Sequence, residues 1–105
     1  MSSPLHPFQQ VKIAATPRGA DLVIALEGTL AVGEAAAAQA HLLNLAAAVT
    51  GRVVLDCTRL VFISSAGIRA LLALHRNLTG RSRGLVLAGV SEPIRNILDV
   101  AGLAQ

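Results

Sequence analysis

Two short runs, Val53-Val54-Leu55 and Leu85-Val86-Leu87-Ala88, are apolar at every position. A strand without polar alternation belongs in a sheet covered on both faces, the usual situation of parallel strands. Parallel strands need a crossover between them, most often a helix. The chain supplies one: from about Ala66 to Leu78, Ile68, Leu71, Leu72 and Leu78 recur at helical spacing, and Gly80 ends the pattern. A second helical segment precedes the first run. Glu34 through Val49 is Ala-rich, with Leu42, Leu45 and Val49 on one side and Glu34 in the first turn, where the helix dipole favours an anion. Thr50-Gly51 closes it.

The ends of the chain complete the order. Residues 11–15 (VKIAA) and 22–26 (LVIAL) read as strands, and 16–21 between them hold the Pro and Gly of a reversing turn, with Gly28 closing the second strand. Beyond the run bounded by Gly84 and Gly89, Ser91 caps a helix from Glu92 to about Ala101. Pro93 sits in its first turn and Ile94, Ile97, Leu98 and Ala101 form its apolar face. The predicted order is β-β-α-β-α-β-α: an α/β domain with a mixed four-stranded sheet, three to four helices and right-handed crossovers. With 105 residues there is room for one domain, residues 1–105, in which 1–8 form a loose leading segment.

Composition narrows the function. Two Phe, no Trp and no Tyr leave no stacking platform for single-stranded nucleic acid or sugars. The net charge of +3 includes an Arg76, Arg81, Arg83 group, which reads as a solvated face at a helix end rather than a nucleic-acid site. His6, His41 and His75 have no metal-ligand spacing, so no metal and no cofactor are expected. Gly80–Gly84 (GRSRG) lacks the Lys-Ser/Thr ending of a phosphate loop and reads as a flexible turn. Cys57 is a single, small, buried thiol. Residues 1–10 show no secretory pattern, and the apolar stretch 35–49 is interrupted by Gln39, His41 and Asn44. The expectation is a cytoplasmic protein without membrane insertion.

The junction VVLDCTRLVFISSAGI, residues 53–68, concentrates the chemistry. An interior strand ends at Asp56, which reads as a turn or partial cap. Phe62 and Ile63 follow, and Ser64-Ser65 lead directly into a helix. Ser65 or Ser64 is an N-cap, a role worth about 1 kcal/mol by itself. The same geometry leaves a hydroxyl beside unpaired N–H donors, where an added phosphate is held. No glycine-flanked elbow and no base accompany these serines, so no catalytic residue is expected.

FISSAGIRALLAL, followed by GLVLAGVSEPIRNILDVAGL, resembles the STAS domains of bacterial anti-sigma-factor antagonists, from about Val11 to Leu103. In that family an Asp-Ser-x-Gly segment opens a helix, and its Ser is phosphorylated by a partner that is both kinase and anti-sigma factor. The matching positions are Ser64 for the Asp, Ser65 for the phosphoacceptor, Ala66 for the variable residue and Gly67 for the Gly. Where the family has an acidic Gly-Glu-Leu-Asp-like loop near the partner surface, this chain has Gly28-Thr29-Leu30-Ala31. The resemblance implies a partner surface of Thr29, Leu30, Ala31, Ser64, Ala66, Gly67, Arg69 and Arg76. It implies protein binding without catalysis, toward an anti-sigma factor that is a serine kinase, with self-association left open. The alternative it allows is an unphosphorylated adaptor in a transporter or stress-signalling assembly.

Overall fold

The computed structural model describes residues 10–100. The expected leading segment 1–8 and the helix end at Ala101 lie outside them. The observed order is β1 (Val11–Arg18), β2 (Asp21–Leu30), α1 (Val32–Ala47), β3 (Val53–Ile63), α2 (Ser65–Gly80), β4 (Leu85–Ala88) and α3 (Glu92–Val100). The strands lie side by side as β1-β2-β3-β4, the first pair antiparallel and the other two parallel. The mixed four-stranded sheet and the β-β-α-β-α-β-α order are those the sequence predicts.

Three boundaries differ. The hairpin turn is only Gly19-Ala20, not residues 16–21, and Gly19 takes φ 63° to make it. Pro17 stays in the ladder because β1 is an edge strand, where a missing N–H costs nothing. α1 begins at Val32 and ends at Ala47, two residues earlier at each end than its pattern suggests.

The largest difference is β3, which runs on to Ile63 instead of stopping at Asp56. Its partners on β2 reveal why the sequence hides this. Ala25 faces Asp56, Glu27 faces Arg59 and Thr29 faces Phe62, so β3 carries an extra residue at each of two register shifts. Each such bulge re-phases the strand. Buried positions therefore fall at Val53, Leu55 and Cys57 and then at Leu60 and Ile63, breaking the period-2 signal.

Leu22, Ile24, Leu26, Val53 and Leu55 meet Ala38, Leu42, Ala46, Leu71, Leu74 and Leu78 in one core, which α1 and α2 roof together. The two runs were expected to be covered on both faces. The opposite face, carrying Val23, Ala25, Val54 and Asp56, is only half-buried. Two right-handed crossovers progressing the same way across a sheet put their helices on one side. Cys57 is buried as expected. Burial first, and the neighbouring Asp56 charge second, push its thiol up to about 11, so it stays protonated and inert at neutral pH.

Residues 80–84 form a structured turn. Ser82 takes φ 57° and the Arg83 N–H donates to the Leu78 carbonyl at 2.8 Å. Arg83 is half-buried rather than solvated with Arg76 and Arg81. Its Nε donates to the Gly51 carbonyl at 2.7 Å and its Nη1 to that of Ala46 at 2.9 Å. It thus serves the carboxyl end of α1, not of its own neighbour α2.

Candidate functional site

The parallel strands β2 and β3 end together, with Leu30 opposite Ile63, and each passes straight into a helix. After β2 a single residue, Ala31, intervenes, so the Gly28–Ala31 segment is the end of a strand rather than a loop. After β3 the intervening residue is Ser64. Its backbone is extended (φ −80°, ψ 168°), its N–H donates to the Leu30 carbonyl at 2.9 Å, and it is buried. Its hydroxyl accepts the Gly67 N–H at 3.0 Å.

Of the two cap candidates, Ser64 is therefore the cap and Ser65 is the first helical residue. Ser64, which by the resemblance stands where the family has an acid, performs by hydroxyl what a carboxylate would do there, since Ser and Asp cap about equally well. The exchange removes a negative charge while keeping the bond. Ser65 is exposed, and its hydroxyl has no hydrogen-bond partner among the described residues. The fold needs one hydroxyl at this turn and leaves the second unused.

Gly67 seats the first turn of α2. A Cβ there would stand 2.8 Å from Ile63 Cγ1 and 2.9 Å from Leu30 Cγ, both in the core. Leu30, expected at the partner surface with Thr29 and Ala31, is fully buried and supports the turn from beneath. Thr29 and Ala31 are half-buried beside it, as is Ala66, while Arg69 and Arg76 are exposed on α2. Thr29, Ala31, Ser65 and Ala66 thus gather at one end of the sheet, with Ser64, Leu30 and Gly67 as their foundation.

Sequence reasoning missed the exposed apolar residues at the end of β3. Val32 at the start of α1, and Val61 and Phe62 at the end of β3, are 70%, 76% and 53% exposed. Phe62 pairs with Thr29 across the strands. The bulges that re-phase β3 turn Val61 and Phe62 outward, and no periodicity in the sequence marks a bulge. Exposed large apolar groups at the rim of a polar turn are a usual sign of a protein-binding surface. The chemistry offered is a reachable hydroxyl, cationic side chains and apolar contact area. Among the described residues no His, Cys, Asp and Glu group could hold a metal ion, and no helix is long and apolar enough to cross a membrane.

These elements define a small mixed-sheet α/β domain with a capped helix start presenting an unengaged serine. The STAS domain family model matches residues 12–105, and the chain belongs to that family of interaction domains. No curated protein matches its sequence. Solved structures share the fold. An anti-sigma factor antagonist from Mycobacterium paratuberculosis aligns at 19% identity and TM-score 0.73, over 98% of this chain and 84% of that one. The phosphorylated form of the Bacillus cell-fate determinant SpoIIAA aligns at 23% identity and TM-score 0.70, over 89% and 84%. A part of the murine anion transporter Slc26a9 aligns at 13% identity and TM-score 0.70; it covers 83% of this chain, which spans 14% of the transporter.

Proposed function

We propose that this chain is a cytoplasmic partner-switching domain of the anti-sigma-factor-antagonist type, which binds a kinase-like anti-sigma factor and is released when Ser65 is phosphorylated. The observation that carries the reading is the division of labour at the turn. Ser64 is buried and spent on the cap, whereas Ser65 is exposed and engaged by nothing among the described residues. Modifying Ser65 therefore leaves the fold intact and alters only what a partner meets. A phosphate there adds a charge of about −1.5 to −2 at the centre of the docking surface. Desolvated against apolar Phe62 and Val32, that charge opposes the complex. In this reading the domain acts by binding alone, and ATP and its divalent ion belong to the kinase.

The adaptor reading is favoured by one feature, the absence of the acid at position 64, which weakens the electrostatic match to a kinase. A binding titration separates the two. Against a kinase-like anti-sigma factor of the same cell, Ser65→Ala should bind as the parent does and Ser65→Asp about tenfold or more weakly, the loss of about 1.4 kcal/mol or more. Equal affinities for the two substitutions would sink the switch and leave the adaptor.

A further inference from the structure

α2 contains Arg69, His75 and Arg76 and not one Asp or Glu. At 100° per residue, Arg69 and Arg76 lie within about 40° of Ser65 around the helix axis, so the three share one exposed stripe about 16 Å long. Arg69 stands four residues after Ser65, the spacing at which side chains on a helix are neighbours. A helical side chain also leans toward the N-terminus, which is the direction of Ser65 from Arg69. All three ion pairs of the described residues lie elsewhere, on Lys12, Arg52 and Arg59, so Arg69 is not engaged.

We infer that Arg69 is the internal reader of Ser65: a phosphate on Ser65 pairs with Arg69 of the same helix and withdraws that cation from an acidic partner. This rests on the phosphoacceptor reading above and names the residue that converts modification into release. Unmodified, the Arg69–Arg76 stripe presents cations with no carboxylate between them, which suits a partner surface rich in Asp and Glu. An anionic group at position i with a cation at i+4 is the favourable order on a helix. Phosphorylation thus acts twice at one spot, adding negative charge and tying up the nearer positive one.

Few other charges reach this end. β2 and β3 finish there with Thr29-Leu30 and Phe62-Ile63, which carry none. Glu34 of α1 is half-buried and accepts the Gln10 backbone N–H at 2.9 Å. Glu92, Arg95 and Asp99 belong to α3, which follows a β4 that stops opposite Asp56, well short of Ile63.

Phosphoserine can be installed at position 65 during translation, so neither kinase nor partner is needed for the test. The phosphate's second ionisation, near pH 6 when free, is followed by phosphorus NMR at low salt in the parent background and in Arg69→Gln and Arg76→Gln. Pairing favours the dianion, so Arg69→Gln should raise the midpoint by roughly 0.3 of a pH unit. Arg76→Gln, seven residues further along, should leave it in place, and high salt should erase the difference. An unchanged midpoint in Arg69→Gln, or an equal rise in Arg76→Gln, would overturn the inference. Neither result bears on whether a kinase modifies Ser65, which the binding titration decides.

Discussion

A Gly28→Val protein will melt at least about 15 °C below the parent, a loss of about 3 kcal/mol or more. Gly28 lies in β2 at φ 96°, between the two register shifts that re-phase β3. L residues occupy that backbone region at a cost of about 1–3 kcal/mol, and a β-branched side chain fares worst. A second effect adds to the first. A Cβ at Gly28 would run into the backbone carbonyl oxygen of Gln10, the same oxygen that accepts the Thr29 N–H at 2.8 Å. No rotamer relieves a backbone collision, so β1 must lift from the end of β2 or the strand must unbend. Gly19 is the internal control. It too has positive φ, at 63°, but nothing lies within 4 Å of its would-be Cβ. Gly19→Ala should therefore cost only about 1 kcal/mol. Calorimetric melting of both proteins checks the comparison, and equal shifts would mean that the close approach of Gln10 contributes nothing.

Gly67→Val is the second large effect, about 1–2.5 kcal/mol, and it reaches the site. Replacing a helical Gly should by itself help, by up to about 1 kcal/mol for Ala and less for a β-branched residue. Crowding runs the other way and is larger. The new side chain would meet Ile63 and Leu30, which are 3% and 0% exposed and have nowhere to retreat. Overpacking of this kind costs about 1–3 kcal/mol. The first turn of α2 must then move away from the strand ends. The Ser64 hydroxyl loses its aim at the Gly67 N–H, and Ser65 is displaced with it. Amide chemical shifts of residues 64–68 should move along with the melting temperature. A Gly67→Val protein with parental stability and unshifted amides would show that this glycine is not a packing requirement.

The order of elements was legible because each break falls at residues with a local mechanism. Gly51 and Gly84 bound the strands, Gly80 closes α2, and a serine precedes the first turn of α2. The apolar faces of the helices followed from spacing, though Leu74, which is fully buried, was not among the positions named for α2. What escaped was whatever depends on contacts distant in sequence. The bulges of β3 exist only in relation to β2, so Asp56 looked like the end of a strand. The outward turn of Val61 and Phe62 follows from those bulges and was hidden with them. Arg83 looked like one more surface cation until the α1 carboxyl end was placed beside it. At the site, both serines satisfy the chemistry of a cap, and only the backbone assigns the role to Ser64. The exposure of Ser65 depends on that assignment.

Mapping phosphate on the protein isolated from its native cells tests the switch most directly. Mass spectrometry of its peptides should find a phosphate on Ser65, in a fraction that changes with growth conditions, and none on the buried Ser64. A protein that carries no phosphate under any growth condition, or carries it only at a residue away from the start of α2, would contradict phosphorylation of the exposed serine as the means by which this domain lets go of its partner.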